Sequence, residues 1–151
     1  MKSKLALTLL VAISTISLCG QIDSSHSIKS QVVFLYYSDL TAAANFYGEK
    51  LGFQKTFDGG WVHIYQSSQN SYVGLVDNTR GHHRNSPDKP VMLSLVTEEI
   101  ENWYTHLQNQ EIKILSPLSD SSNFPIRSFL TEDPGGYTIE FFEWKESARK
   151  K

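Results

Sequence analysis

The chain repeats itself. A β-branched and aromatic run at residues 32–37 leads into a capped helical stretch and three further strand signals, and the same succession begins again at residue 91. The pair Phe46-Tyr47 in the first helical stretch has a counterpart in Trp103-Tyr104 in the second. Each pair sits a similar distance past its capping residue. A repeat of roughly sixty residues with this order reads as two βαβββ units. One such unit is too small to bury much apolar surface, so two must share one core. The expected class is α+β, with helices on one side of a curved sheet.

Local signals mark the elements. Asp39 is a candidate N-cap, because its carboxylate can accept the free amides of a first helical turn. Leu40, Ala43, Ala44, Tyr47 and Leu51 then recur at helical spacing. Gly52 stands where the chain leaves the helix in a left-handed conformation. Residues 53–57 read as a strand, Gly59-Gly60 as a turn, 61–66 as an alternating strand and 72–76 as a further one. Residues 77–89 form a long polar surface loop containing Arg80, Gly81, His82, His83 and Arg84. In the second unit, residues 91–96 are a strand. Thr97 is an N-cap candidate, and Glu98, Glu99 and Glu101 lie where the helix dipole favours acids. Ile100, Trp103, Tyr104 and Leu107 make the buried stripe. Residues 112–115 are a strand and 117–124 a loop. Strands 127–131 and 137–143 are joined by the turn Asp133-Pro134-Gly135-Gly136.

The N-terminus is of another kind. Lys2 and Lys4 precede an apolar run at residues 5–18, which is too short to span a bilayer comfortably and fits the core of a signal peptide. The expected division is a signal peptide at 1–20, a serine-rich flexible tether at 21–30, a domain at 31–145 and a charged tail at 146–151. Cys19, the only cysteine, follows the apolar run as a lipidated cysteine does; simple cleavage near it is the alternative. Export to the periplasm or cell envelope is expected, with membrane attachment only through a lipid on Cys19. The fold must hold without disulfides. A net charge of -2 supplies no basic field for nucleic acid, and Arg149, Lys150 and Lys151 read as a solvated end.

Three segments carry a family resemblance. Leu35-Tyr36-Tyr37-Ser38-Asp39-Leu40 continues to Asn45-Phe46-Tyr47 and Leu51-Gly52-Phe53. The second unit has Val96-Thr97-Glu98-Glu99-Ile100-Glu101-Asn102-Trp103-Tyr104, then Asp133-Pro134-Gly135-Gly136-Tyr137-Thr138-Ile139-Glu140-Phe141. In order and spacing this resembles the vicinal oxygen chelate superfamily of glyoxalases, bleomycin-resistance proteins and extradiol dioxygenases. The resemblance implies paired βαβββ modules forming a cup-shaped mixed sheet with helices on the outer side, and a ligand or metal in the cup. It also implies metal ligands, usually His and Glu, on the first and last strands of each module. Only Glu140 stands at such a position. The others fall on Val32, Gly74 and Val91 or Met92. One carboxylate cannot hold a transition metal usefully. No metal and no cofactor are therefore expected, and glyoxalase or dioxygenase activity is disfavoured.

Strand parity gives an expected cup lining. Val32, Phe34 and Tyr36 share one face. Trp61, His63 and Tyr65 share the face opposite Val62 and Ile64, which suit the helix side; Tyr72 and Phe142 follow by the same argument. An aromatic cleft with a few polar tips suits a planar or apolar small molecule. The expected ligand-binding residues are Tyr36, Trp61, His63, Tyr65, Tyr72, Arg127, Glu140 and Phe142. The same aromatics could instead pack on one another or on a second subunit. His63 could be a general base or a hydrogen-bonded wall residue, and His82-His83 a solvated loop. Arg127 could meet a substrate carboxylate, meet Glu140, or form a structural salt bridge. Three functions remain open: metal-independent binding of a small aromatic or planar molecule; a lyase or isomerase with an atypical metal site such as His63 with Glu140; and an interaction module whose cup closes as a homodimer.

Overall fold

Each half of the chain builds a four-stranded sheet with a helix on one face. A computed structural model describes residues 27–149. The expected signal peptide, Cys19 and most of the tether lie outside the described residues. The first module contains β1 Gln31–Tyr37, α1 Leu40–Asn45, β2 Gln54–Asp58, β3 Val62–Ser68 and β4 Ser71–Asp77. The second contains β5 Met92–Val96, α2 Ile100–Asn109, β6 Ile114–Asp120, β7 Ile126–Glu132 and β8 Thr138–Trp144, with a short α3 Glu146–Arg149 in the expected tail. Strand orders are β1-β4-β3-β2 and β5-β8-β7-β6. In both sheets the outer first strand runs parallel to the last, which the helical crossover permits, and the other pairs are antiparallel.

The helix ends follow from local chemistry. Asp39 Oδ1 accepts the Ala42 N–H at 2.8 Å, as an N-cap does. From Phe46 to Lys50 the helix widens into a π-helical turn, and the Leu51 N–H donates to the Phe46 carbonyl at 2.9 Å. Gly52 then takes φ +71°, a conformation that disfavours any Cβ. The second helix starts at Ile100 rather than directly after Thr97. The Thr97 hydroxyl instead accepts the Glu99 N–H at 3.0 Å, making a side-chain turn ahead of the helix. β6 also corrects the expectation of a loop from 117, since it continues to Asp120. Pro117 is tolerated there because β6 is an edge strand with irregular register between Ser116 and Ser119.

The helix sides of both modules form one core. Leu35, Tyr37, Tyr47 and Leu75 from the first module join Ile100, Leu107, Phe129 and Phe141 from the second. Phe129 and Phe141 stack at 5.0 Å. Each fully buried ring or aliphatic chain of this kind contributes about 1.5–3 kcal/mol. Polar contacts also cross the module boundary. Asp133 Oδ2 accepts the hydroxyls of Tyr37 and Tyr47, and the Tyr137 hydroxyl accepts the Tyr36 N–H at 3.0 Å. The N-terminal residues 27–30 are exposed and carry no regular structure.

Candidate functional site

Strand register sorts side chains onto two faces. In the first sheet Tyr36 aligns with Val76 and Val62, and Phe34 with Gly74 and Ile64. Laterally aligned residues share a face, so these residues line the face away from the helix. A β-bulge between Lys55 and Phe57 shifts β2 by one residue. The shift places Phe57 opposite Ile64, on that same open face, and leaves Lys55 and Asp58 on the helix side. Phe34 is 46% exposed and Phe57 51% exposed.

The centre of this face depends on a missing side chain. A Cβ on Gly74 would lie 2.3 Å from Phe34 Cδ1 and 2.4 Å from Cε1. Only glycine lets the Phe34 ring lie across β4. The corresponding row of the second sheet is Ser94, Glu140 and Leu130. Gly74 and Glu140 therefore hold equivalent positions in the two modules. In the second module the Ser94 hydroxyl donates to Glu140 Oε2 at 2.8 Å; in the first, an aromatic ring fills the corresponding space.

A cleft of about 330 Å³ lies over the open face of the first module. Phe34, Tyr36, Val62, Ile64 and Val76 form its floor, with Phe57, Trp61, Gly81 and His82 around it. Gly81 touches the Tyr36 ring closely: a Cβ there would come within 2.7 Å of it. The His83 ring meets Tyr36 edge-on at 5.3 Å, and the Arg80 guanidinium sits 5.6 Å from the Trp61 ring centre. The polar loop at 77–89 thus forms one lip of the cleft.

The expected lining is corrected in several places. Tyr36 and Trp61 do line the cleft. His63 and Tyr65 do not, because Val62 and Ile64 take the open face and the alternate residues turn toward the helix. Tyr65 is 4% exposed, and its hydroxyl donates to the Ala44 carbonyl at 3.4 Å. The absent side chain of Gly48 makes room for its ring. His63 Nε2 stands 3.3 Å from Asp58 Oδ1, and its Nδ1 is buried without a partner. Burial pushes the Tyr65 phenol pKa up. The Lys55 ammonium beside Asp58 and the Gly60 N–H hold its carboxyl below the usual range. Arg127 faces α2 and pairs with Glu101, not with Glu140; of the readings open for it, the salt bridge is the one found. Tyr72 aligns with Val32 and so shares the parity of Phe34 and Tyr36, but it lines the crevice between the modules rather than this cleft. Glu140 and Phe142 lie on the open face of the second sheet, where Phe142 meets Trp144 edge-on at 5.3 Å.

Parity reasoning missed Phe57, Val62, Ile64 and Val76. The available signal was the register itself: choosing Phe34 and Tyr36 as open-face residues commits β3 to Val62 and Ile64. Trp61 and Tyr65 alternate with Val62 and Ile64 and have the larger rings, so their row imitates a cleft face.

The donor set does not fit the metal centre that the fold family can carry. Glu140 is joined by Ser94 and Leu130 in its row, and its counterpart is Gly74. His63 stands on the helix side of the first sheet and Glu140 on the open face of the second, so the pair does not make a site. Among the described residues, no three His, Cys, Asp or Glu side chains converge to hold a metal ion.

The chain belongs to the Glyoxalase/Bleomycin resistance protein/Dioxygenase superfamily, whose sequence pattern matches residues 29–141. Solved structures agree on the fold. A glyoxalase/bleomycin resistance protein/dioxygenase from Nocardioides is 22% identical with a TM-score of 0.67, covering 81% of this chain and 86% of that one. A superfamily member from Sphaerobacter thermophilus is 21% identical with a TM-score of 0.66, covering 78% and 98%. A lactoylglutathione lyase from Agrobacterium tumefaciens is 20% identical with a TM-score of 0.62, covering 74% and 90%. No curated protein sequence matches the chain.

Proposed function

We propose that this protein binds a small planar or aromatic molecule, without a metal, on the open face of its first module. The observation that carries the reading is the Phe34 ring lying across Gly74, which puts a flat apolar surface where the second module has Glu140. Tyr36, Ile64 and Trp61 extend that surface within a cleft of about 330 Å³, the size range of small-molecule sites. A planar ligand gains stacking and dispersion there. Among the described residues that line the cleft there is no Ser, Thr, Cys, Asp, Glu or Lys, which favours binding over a chemical step. The test is a thermal-shift series on metal-stripped protein with uncharged planar aromatics, since binding to the native state raises the midpoint. Shifts that Phe34→Ala abolishes support the reading. Shifts that need added metal overturn it.

Exposed apolar residues favour a second element of the proposal, a homodimer. Val96 is 60% exposed and Trp144 45% exposed on the open face of the second sheet, and Phe34 and Phe57 are exposed on that of the first. Patches of this kind mark interaction surfaces. A second copy covering them would close the cup, and sedimentation equilibrium tests it. The apolar run at 5–18 supports export, with Cys19 as the candidate anchor.

A further inference from the structure

We infer that the boundary between the two modules holds a second small-molecule site, specific for an uncharged amphiphilic molecule. The site is a crevice of about 370 Å³. It exists because β1 and β5 are the outer strands of separate sheets and do not pair with each other. The space between them is bounded by Val33 on one side and Leu93 and Leu95 on the other. Phe53, Trp103 and Phe141 close it from the helix side. At the β3–β4 hairpin the chain supplies Ser67, Ser68 and Ser71, residues too small to fill it. It shares no lining residue with the cleft over Phe34.

The lining states what the crevice can take. Among the described residues that line it there is no Lys, Arg, His, Asp or Glu. An ion would lose its hydration there and find no counter-charge, a cost that neutral molecules avoid. One wall is aromatic and aliphatic. The hairpin wall offers hydroxyls: Ser67 already donates to the Ser71 carbonyl at 3.1 Å, whereas the Ser68 and Ser71 hydroxyls carry no such bond. The matching ligand has an apolar planar body and a hydroxyl, aryl amine or carbonyl along one edge. Because both modules contribute walls, occupancy would tie them together.

The tryptophans allow a site-resolved test. Of three tryptophans, Trp103 lines the crevice and also a groove beside Lys50 and His106, so variants at the hairpin serines assign its shift, while Trp61 lines the open-face cleft. Protein with isotope-labelled tryptophan is titrated with N-phenyl-1-naphthylamine, and the assigned indole N–H resonances are followed. The inference expects a saturable shift of the Trp103 resonance that persists in Phe34→Ala. The sulfonated analogue 8-anilinonaphthalene-1-sulfonate should bind at this resonance at least about tenfold more weakly, for want of a counter-ion. Ser71→Phe should fill the crevice and weaken the shift by at least about tenfold; Ser68→Phe, at an exposed hairpin position, does the same with less burden on folding. A silent Trp103 resonance overturns the inference. So does equal affinity for the anionic analogue, or unchanged binding in the folded filled variants. The open-face reading is tested by Trp61 and stands or falls separately.

Discussion

The Asp133 carboxylate, in the turn between β7 and β8, accepts the hydroxyl of Tyr37 from the end of β1 at 2.5 Å. Its other oxygen accepts the N–H groups of Gly135 and Tyr137 at 2.8 and 2.9 Å, and Tyr47 adds a second hydroxyl at 3.1 Å. One buried side chain thereby shapes the closing turn of the second module and fastens it to the first strand and helix of the other. Burial raises the carboxyl pKa, and these four donors oppose the shift.

Deleting parts of this clasp has graded costs. Tyr37→Phe removes one donor and leaves Tyr47 in place, so a loss of about 1–2 kcal/mol is expected. Asp133→Ala strands two phenols and two backbone amides, and a loss of about 3 kcal/mol or more is expected. Urea denaturation of the two variants checks the ranking.

The same clasp predicts alkaline instability. Burial, then the neighbouring Tyr47 and Asp133, push the Tyr37 phenol far above its ordinary value; burial and Asp133 raise Tyr47 likewise. Both phenols stay protonated in the folded chain while the unfolded chain ionises near pH 10. Above that pH unfolding releases protons, so stability is full below about pH 10 and falls as pH rises. The expected slope is about 1.4 kcal/mol per pH unit for each of the two tyrosines. Denaturant midpoints from pH 9 to 11.5 measure it, and Tyr37→Phe should remove one of the two contributions.

Gly74 and Phe34 should be energetically coupled. Gly74→Ala pushes a Cβ into the ring and forces Phe34 off β4, with an expected loss of about 1–2 kcal/mol. In a Phe34→Ala background the same change should cost little, because nothing remains to be displaced. A double-mutant cycle reads the coupling, with an expected interaction energy of about 1 kcal/mol.

Two expected binding residues should prove silent in ligand binding. Arg127→Ala breaks an exposed pair with Glu101 and should change stability by less than about 1 kcal/mol. Tyr65→Phe loses only a long hydrogen bond to Ala44. Neither side chain lies on the open face, so thermal shifts caused by ligand should match those of the parent.

The duplicated order, the Asp39 cap, the Gly52 exit and the Asp133 turn were all legible because each is a local pattern with a local physical cause. The open face was legible in β1, where Leu35 and Tyr37 alternate with Phe34 and Tyr36. It was misread in β3. There Trp61, His63 and Tyr65 alternate as regularly as Val62 and Ile64, and period two alone cannot say which set faces the core. The deciding facts are non-local: the pairing of Val62 with Val76, and the space that Gly48 leaves for Tyr65. The bulge that turns Phe57 outward depends likewise on a partner strand. The crevice between modules was invisible for the same reason, since its walls come from six separate segments.

The most direct test follows the Trp61 indole resonance in metal-stripped protein during titration with N-phenyl-1-naphthylamine. A saturable shift is expected, unchanged by added zinc, nickel or manganese and lost in Phe34→Ala. No shift of Trp61, or one that appears only when a metal is supplied, would contradict a metal-free aromatic binding face.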